Sequence, residues 1–207
     1  MKRKIAIYLA GTIHKGHEKT DESYWTQEDL LFLRKELSEF EISFLNPALR
    51  SDNLSDAFSV FGRDMLQVFC SSIVFVDARE RRGLGVGAEM MWAKINRIPV
   101  VAWAPKETHY HKNTASILGT SIENYMHPFV ASLCDKVVEG LADGASWIRA
   151  AVSDPSIKIR GIEYIGSAMQ HYKESQLHQD QPMKEMLTAS DELTKRAQRA
   201  HPQVISN

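Results

Sequence analysis

The first half of the chain alternates short hydrophobic runs with segments whose apolar residues recur at helical spacing. One run, at residues 73–76, is hydrophobic at every position, which is typical of a strand buried on both faces of a sheet. Between the runs, apolar side chains return every three or four residues, as they do along one face of a helix. Strands are predicted at residues 4–10, 41–45, 73–76 and 98–103. Helices are predicted from Thr26, as the N-cap, to about 40, over about 55–69, and from the end of the glycine-rich loop at 83–87 to about 96.

The alternation of strand and helix over residues 1–105 predicts a parallel α/β sheet with helices on both faces, flavodoxin-like or Rossmann-like. A long polar loop follows at 105–120, and the pattern beyond it is mostly helical, with apolar residues at helical spacing over 129–138. From about Gln176 the chain is rich in Gln, Lys, Glu and His, which predicts an exposed helix or a disordered tail. We expect an α/β domain over residues 1–140 and a mostly helical extension over residues 141–207.

The composition is that of an ordinary globular domain. The chain has 207 residues, of which 43% are hydrophobic and 25% are charged, and its formal net charge is −1. So small a net charge gives no general reason to expect nucleic-acid binding, and any phosphate must be bound by local groups. No hydrophobic run is long enough to span a membrane, and the short apolar run after the basic N-terminus lacks a signal-peptide cleavage site. A cytoplasmic protein is expected.

The cysteines and histidines do not predict a metal site. Cys70 and Cys134 each lie in an apolar helical pattern and are predicted to be buried thiols in a reducing compartment. His109 and His111 form a His-x-His pair, but no third ligand for a metal ion can be identified.

A glycine-rich segment follows the third predicted strand. Residues 83–89 read Gly-Leu-Gly-Val-Gly-Ala-Glu. This spacing is not that of a dinucleotide-binding loop, it does not follow the first strand, and no P-loop lysine motif occurs, so neither NAD nor ATP binding is predicted. Glycines at a helix start allow a ligand to approach the backbone and its amides. Glu89, in the first turn of that helix, would face a ligand at the carboxyl edge of the sheet.

A carboxylate in this position suits the cleavage of a glycosidic bond. Such chemistry requires one carboxylate at the anomeric carbon and an acid for the leaving group. Asp64, on the helix before the third strand, is the best second carboxylate, and the Tyr8 phenol could hydrogen-bond a carboxylate. The residues alone leave other roles open: Glu89 could stabilise the helix dipole, Asp64 could lie on a solvated helix face, and Tyr8 could be a core aromatic residue.

Four elements occur in an order that resembles the nucleoside 2-deoxyribosyltransferase family, which includes the similar deoxynucleoside 5′-monophosphate N-glycosidases. They are Ile-Tyr-Leu-Ala-Gly at 7–11, Arg-Asp-Met-Leu at 63–66, Asp77, and the glycine run at 83–89. The resemblance covers roughly residues 4–130 and is strongest in the glycine run.

The resemblance implies a role for each of these residues. Glu89 corresponds to the nucleophile that attacks C1′ of the sugar and forms a covalent deoxyribosyl-enzyme. Asp64 corresponds to an aspartate that acts in base departure or sugar positioning, and Tyr8 to a tyrosine that positions the nucleophile. Asp77 is expected to contact the base. The resemblance also implies a small nucleoside or nucleotide substrate, no cofactor, and a homo-oligomer with shared sites; neither nucleic acid nor a membrane is an expected partner.

One short segment favours a nucleoside as the substrate. Asn124-Tyr125-Met126 resembles the Asn-x-Met element of the transferases, in which a neighbouring subunit reaches the 5′-hydroxyl of the sugar. The residues alone also allow Asn124 to be the N-cap of a helix.

Another segment favours a nucleoside 5′-monophosphate. Residues 11–16, Gly-Thr-Ile-His-Lys-Gly, resemble the phosphate loop Gly-Ser-Ile-Arg-Gly-Gly of the glycosidases, with Thr12 for the serine and His14 or Lys15 for the arginine. Gly83 stands where that branch has a further serine, so one phosphate ligand is missing. The arginines at 79, 81 and 82 could supply it, because guanidinium groups bind phosphate bidentately, or they could form a solvated basic loop.

The leading interpretation is cleavage of the N-glycosidic bond of 2′-deoxyribonucleosides through a covalent intermediate on Glu89, with transfer to another base. The alternatives are hydrolysis of deoxynucleoside 5′-monophosphates and, in a different class, a non-catalytic nucleotide-binding sensor. The expected substrate-binding residues are Gly11, Thr12, His14, Asp77, Gly83, Gly85, Gly87, Asn124 and Met126.

Overall fold

The computed structural model of the protein describes residues 2–12 and 24–199. Its contacts divide the chain into two compact units that meet between Ile159 and Arg160. The predicted site residue His14 and its neighbour Lys15 lie outside the described residues.

The first unit alternates strands and helices. Its elements are β1 (Arg3–Ala10), α1 (Gln27–Glu36), β2 (Phe40–Leu45), α2 (Ala57–Phe69), β3 (Ile73–Asp77), α3 (Leu84–Ile95), β4 (Val100–Trp103), β5 (His111–Ile117), β6 (Thr120–Met126), α4 (Pro128–Leu133), β7 (Lys136–Val138) and α5 (Leu141–Ser153). The second unit is helical, with α6 (Ile162–Ser175), a short 3-10 helix (Leu177–Gln179), α7 (Gln181–Ala189) and α8 (Asp191–Gln198).

Five parallel strands form the main sheet in the order β2-β1-β3-β4-β7. This is the flavodoxin-like order, which confirms the predicted α/β fold with a helical C-terminal part. In such sheets the chain leaves the neighbouring strands β1 and β3 in opposite directions, and a crevice opens at their carboxyl ends. Every residue of β3 is buried, as the continuous hydrophobic run predicts.

Alternating side chains of the strands belong to two separate hydrophobic cores, one on each face of the sheet. On one face, Tyr8 and Val76 pack with the α3 residues Val86 and Met90. On the other face, Leu9 and Phe75 pack in a second cluster with residues of α1 and α5. Because successive side chains of a strand point to opposite faces, neighbouring positions at the ends of β1 and β3 serve opposite sides of the sheet.

The start of α1 agrees with the sequence prediction. The Asp29 amide donates a 3.1 Å hydrogen bond to the Thr26 hydroxyl oxygen, and the Thr26 amide donates a 3.0 Å bond to the Asp29 carboxylate. These reciprocal bonds satisfy amides that a helix start leaves unpaired. The predicted N-cap at Thr26 is confirmed.

The region after β4 differs from the prediction. Instead of a polar loop at 105–120, strands β5 and β6 form an antiparallel hairpin, which turns at Leu118 and Gly119 with φ values of 49° and 81°. The hairpin is largely exposed on both faces, so its sequence lacks the apolar alternation by which a strand is recognised.

The α/β unit also extends beyond the expected boundary at residue 140. The helical pattern expected over 129–138 is divided between α4 and the edge strand β7. Helix α5 then packs against α1 and β4, and this contact makes residues up to Ile159 part of the first unit.

The two cysteines occupy different environments. Cys134 is buried, as predicted, whereas Cys70 is exposed. The prediction for Cys70 is wrong because much of the apolar surface of α2, whose C-terminus Cys70 caps, faces solvent. Among the described residues, no helix combines the length and apolar character needed to cross a membrane.

A buried ion pair ties α3 to the sheet. The Lys94 ammonium contacts the Asp135 carboxylate, and the two side chains are 1% and 2% exposed. The same carboxylate accepts a 2.7 Å hydrogen bond from the Val100 amide. The pair therefore connects the helix that carries Glu89 to the start of β4.

We expect Lys94→Ala to lower the free energy of unfolding by about 3–5 kcal/mol, because it removes the ammonium group that contacts the buried Asp135 carboxylate. Denaturant unfolding monitored by circular dichroism measures the change. The matched control is Lys106→Ala, since the Lys106–Glu139 pair is exposed and is expected to contribute less than about 1 kcal/mol. Equal losses in the two variants would contradict the stabilising role of the buried pair.

Candidate active site

Glu89 lies on α3 at the carboxyl end of the sheet. Helix α3 begins at Leu84, with Gly83 as its N-cap. The glycine run is therefore the beginning of the helix itself, and Glu89 lies in the second turn rather than in the first turn predicted from sequence. The difference arises because the residues from 84 onwards adopt helical geometry, so Gly85 and Gly87 belong to the helix.

The Glu89 carboxylate is buried beside the phenol of β1. Tyr8 donates a 2.7 Å hydrogen bond to Glu89 Oε1, and Glu89 is 7% exposed. Glu89 Oε2 is also buried and has no hydrogen-bond partner among the described residues. One oxygen is thus held in place, while the other makes no hydrogen bond within the described residues.

The surroundings change the acidity of both groups. Burial raises the pKa of Glu89 to about 7; the Tyr8 hydrogen bond opposes this rise, and the negative charge of Asp64 adds to it. Burial, followed by the negative charge of Glu89, raises the pKa of Tyr8 above its ordinary value of 10. Tyr8 therefore keeps its proton near neutral pH and acts as the hydrogen-bond donor, while Glu89 changes its charge close to neutrality.

Asp64 approaches this pair from α2. It is held by two arginines: Arg50 lies 3.3 Å from Oδ2, and Arg63 lies 3.0 Å from Oδ1. Helix α2 is fastened to α3 by a 3.1 Å hydrogen bond from the Trp92 indole to the Met65 carbonyl oxygen. The structure thus brings Asp64 into the neighbourhood of Tyr8 and Glu89, close enough for its charge to influence both.

The role of Arg50 was not anticipated from the sequence. It lies in the polar segment before α2, where it also pairs with Asp52 at 2.7 Å. The alternation of basic and acidic residues in Arg50-Ser51-Asp52 is the only sign in the sequence, and such a pattern is equally typical of a solvated loop.

Asp77 belongs to a different cluster. Asp77 is the last residue of β3, and the alternation of side chains along the strand places it on the face of the second core. Its carboxylate is fully buried. Arg79 Nε lies 2.9 Å from Oδ1, and Arg82 Nη2 lies 2.9 Å from Oδ2. Arg82 Nη1 donates a 2.6 Å hydrogen bond to the Thr12 hydroxyl oxygen. Asp77 therefore anchors two arginines, one of which reaches the segment after β1.

The hairpin region also contacts the loop between β3 and α3, which contains Arg82. The Tyr110 hydroxyl oxygen accepts a 2.8 Å hydrogen bond from the Arg82 amide. Tyr110 precedes β5, so the base of the hairpin fixes the loop that leads into Gly83 and α3. Nothing in the sequence marks Tyr110 for this role.

Open space surrounds the glycines at the start of α3. A Cβ atom added to Gly83 or Gly87 would meet no protein atom within 4 Å, and one added to Gly85 would meet only Glu89 Oε1, at 4.0 Å. A helical glycine reduces helix stability by about 1 kcal/mol relative to alanine. The space at Gly85 is therefore not filled by side chains of the chain itself, and it lies beside the Glu89 carboxylate.

The remaining predicted residues are more scattered. Gly11 lies against Trp25, whose ring would be 3.4 Å from an added Cβ. Asn124 and Met126 lie in β6, so the alternative of a helix N-cap at Asn124 is wrong. Asn124 is exposed with a φ of 51°, and Met126 packs on the core of its own chain. No hydrogen bond or ion pair joins Asn124 to Glu89 within the described residues.

A mostly apolar cavity of about 410 Å³ lies beside the start of α3. Gly83, Gly87 and Tyr110 are among its lining residues, whereas Tyr8 and Glu89 are not. It is therefore a neighbouring space rather than the space in front of the carboxylate. Within residues 2–12 and 24–199, no group of three or more His, Cys, Asp or Glu side chains is arranged to hold a metal ion.

Comparison with solved structures gives a distant structural similarity. No family model matches the chain, and no curated protein matches it. A solved structure of a 2-deoxyribosyltransferase from the psychrotolerant bacterium Bacillus psychrosaccharolyticus is similar at 14% sequence identity, with a TM-score of 0.43. The match covers 75% of this chain and 98% of that chain. A likeness this distant carries no argument about activity.

Proposed function

We propose that the protein cleaves the N-glycosidic bond of 2′-deoxyribonucleosides through a covalent deoxyribosyl intermediate on Glu89. The observation that carries this proposal is a buried carboxylate with one oxygen held by Tyr8, the other without a partner, and space for a ligand at Gly85. A nucleophile must be oriented and must keep an oxygen that is not engaged in another bond; the Tyr8 bond to Oε1 and the lack of a described partner at Oε2 support this role for Glu89.

The proposed reaction has two displacement steps. Glu89 Oε2 attacks C1′, an ester bond forms between the carboxylate and the sugar, and the bond from C1′ to the base nitrogen breaks. The base leaves with the electron pair and takes up a proton. A second base then attacks C1′, displaces Glu89 and releases a proton, which restores the free carboxylate.

The neighbouring groups support these steps in different ways. Tyr8 holds the orientation of Glu89 through the phenol hydrogen bond. Asp64, fixed between Arg50 and Arg63, is in our proposal the acceptor for a sugar hydroxyl. Such a bond would place the anomeric carbon against Glu89. Asp77 would contact the base through the arginine cluster that it anchors, and the protein would act as a homo-oligomer.

Hydrolysis of a deoxynucleoside 5′-monophosphate is the second candidate reaction. The bond from Arg82 to Thr12 favours it, since it places a guanidinium group on the segment that resembles a phosphate loop. In this reaction water, rather than a second base, would attack the intermediate and release deoxyribose 5-phosphate.

One experiment separates the candidates. The protein is incubated with a panel of deoxynucleosides and their 5′-monophosphates, with and without a second free base, and the products are separated by chromatography. A base-exchanged nucleoside supports transfer, and free base with deoxyribose or its phosphate supports hydrolysis. Binding of these compounds without any release of base would instead support a sensor.

We expect Gly85→Ala to reduce kcat/KM by at least about 10-fold, because its methyl group would occupy the space in front of Glu89. The same substitution is expected to raise the free energy of unfolding by up to about 1 kcal/mol, since alanine favours helix more than glycine does. Steady-state kinetics and denaturant unfolding measure the two effects. Unchanged kinetics in the stabilised variant would show that substrate does not use this space.

A further inference from the structure

The carboxylate of Asp64 belongs to a closed ring of four alternating charges. Arg50 Nη2 lies 2.7 Å from Asp52 Oδ2, and Arg50 Nη1 lies 3.3 Å from Asp64 Oδ2. Arg63 Nη1 lies 3.0 Å from Asp64 Oδ1, and Arg63 Nε lies 3.8 Å from Asp52 Oδ1. Each arginine therefore contacts both carboxylates. Asp52 is the member of this ring to which the proposed reaction gives no role.

Asp52 holds Arg50 by two hydrogen bonds at once. Arg50 Nε donates a 2.9 Å bond to Asp52 Oδ1, and Nη2 donates a 2.7 Å bond to Oδ2. Because two parallel bonds fix the plane of a guanidinium group, they also direct the remaining nitrogen, Nη1, at Asp64. The hydrogen bond from Arg50 lowers the pKa of Asp52 to about 2, so Asp52 keeps its charge over the whole pH range in which Glu89 titrates.

The ring is sheltered compared with an ordinary surface ion pair. Its four side chains are only 10–21% exposed. The second arginine is anchored further, because Arg63 Nη2 donates a 2.8 Å hydrogen bond to the Leu49 carbonyl oxygen. Surface ion pairs contribute little, since water screens them and mobile side chains must be ordered. In this ring each charge is restrained by two partners, so the cost of ordering one side chain is shared among several contacts.

The ring determines how Asp64 faces the candidate site. Both Asp64 oxygens accept hydrogen bonds from arginines, so the arginines determine the orientation of this carboxylate. The charge of Asp64 reaches both Tyr8 and Glu89. A misplacement of about 1 Å in a group that positions a substrate can lower a rate about 100-fold. A residue that controls the two arginines can therefore affect the reaction without touching the substrate.

We propose that Asp52 is a positioning residue for Asp64: it holds Arg50 and Arg63 in place, and these fix the carboxylate that receives the sugar. The inference rests on the proposed function, because the orientation of Asp64 affects a rate only if Asp64 binds a substrate. A ring that served only to stabilise the start of α2 would behave differently. Loss of Asp52 would then lower stability, and its effect on kinetics would not depend on Asp64.

A double-mutant cycle with Asp52→Asn and Asp64→Asn distinguishes these two roles. Asp52→Asn alone is expected to lower kcat/KM for base release by at least about 10-fold, because Asp64 loses its fixed orientation. In a protein that already carries Asp64→Asn, the same substitution is expected to change kcat/KM less than about 2-fold, since residues that act through one another are not additive. Circular dichroism verifies that each variant is folded.

The matched control weakens the start of α2 without touching the ring. Asp56 is the N-cap of α2, and its carboxylate accepts a 3.1 Å hydrogen bond from the Ser59 amide. Asp56→Ala is expected to lower the urea midpoint of unfolding, because the helix loses its cap. Its kcat/KM is expected to stay within about 2-fold of the wild type. A loss in this control as large as that in Asp52→Asn would show that the kinetic effect reflects only the stability of α2, which would overturn the proposal.

Arg50→Lys provides a second variant of the ring. Lysine keeps the positive charge but lacks the planar group that binds Asp52 through two bonds. We expect kcat/KM to fall by at least about 10-fold, as in Asp52→Asn, because orientation requires the guanidinium plane. If Asp52→Asn does not fold, Arg50→Lys decides the question in the same cycle with Asp64→Asn.

The outcomes separate this proposal from the proposed function. Wild-type kcat/KM in Asp52→Asn, or losses that simply multiply in the double variant, would overturn the positioning role while base release by the wild type still supports the reaction. A protein that binds deoxynucleosides without releasing base would contradict only the proposed function. The same cycle is then measured on the dissociation constant of a deoxynucleoside by isothermal titration calorimetry, with the same non-additivity expected.

Discussion

Glu89→Gln is expected to reduce base release by about 10⁴-fold or more, because loss of a nucleophile removes the covalent pathway. The substitution keeps the size of the side chain and its position beside Tyr8, but a neutral amide cannot form the ester with C1′. Release of base from deoxynucleosides is followed by chromatography. Glu80→Gln, in the exposed loop before α3, is the control and should retain wild-type rates.

Mass spectrometry adds a direct test of the intermediate. Rapid acid quenching of the wild-type protein with substrate should give a peptide containing Glu89 that carries one deoxyribosyl group, and Glu89→Gln should give none. If base release persists unchanged in Glu89→Gln, the catalytic assignment is wrong. If the wild-type protein binds nucleosides without releasing base, the sensor interpretation replaces it.

The same variant should be more stable than the wild type at alkaline pH. The Glu89 pKa rises from its ordinary 4.5 to about 7 on folding. Between these values the unfolded chain has lost a proton that the folded chain keeps, so wild-type stability falls as pH rises through this window. Above pH 7 we expect Glu89→Gln to gain about 3 kcal/mol from this effect. At pH 4 the wild-type glutamate and the variant glutamine are both neutral, so this difference in the free energy of unfolding should vanish.

Tyr8→Phe is expected to lower kcat/KM by about 10²-fold at pH 7, through the loss of orientation and of a bond to the charged nucleophile. The wild-type pH profile should fall below about pH 7, where Glu89 becomes protonated. Because the phenol hydrogen bond lowers the Glu89 pKa, its removal should move this acidic limb to higher pH. Rates should therefore recover partly as the pH is raised.

The pH profile distinguishes positioning from general damage to the fold. The limb is measured as kcat/KM over about pH 5–9, a range that spans the ordinary and the raised pKa of a buried carboxyl group. A Tyr8→Phe variant that is slower at every pH, with the limb unmoved, would show that the phenol does not interact with the charged form of Glu89. The profile of the Gly85→Ala variant provides a comparison in which the limb is expected to stay in place.

The elements of the first half could be predicted because local sequence determines them. The hydrophobic runs became β1 to β4, and Thr26 forms the predicted cap with Asp29. The hairpin at 111–126 could not be recognised, because strands exposed on both faces carry no apolar alternation. The edge strand β7 has only three residues, and the sequence pattern predicted a helix there.

The candidate site was predictable only in part. Residue types and the family resemblance indicated Tyr8, Asp64 and Glu89 separately, and the structure brings them into one neighbourhood. The ion pair of Arg50 with Asp64 joins residues 14 positions apart in the sequence. The hydrogen bond between Tyr110 and Arg82 joins residues 28 positions apart. Neither pairing leaves a period or a motif in the sequence.

The sequence by itself determined the α/β class and the position of a carboxylate at the start of α3, because periodicity and glycine spacing are local properties. Only the tertiary structure decided that Glu89 keeps one oxygen without a partner, that Asp77 holds two arginines, and that the apolar face of α2 remains exposed. These features depend on which strands become neighbours and which face each side chain takes. They arise from contacts between residues far apart in the sequence. Such contacts form only when the helices pack on the two faces of the sheet.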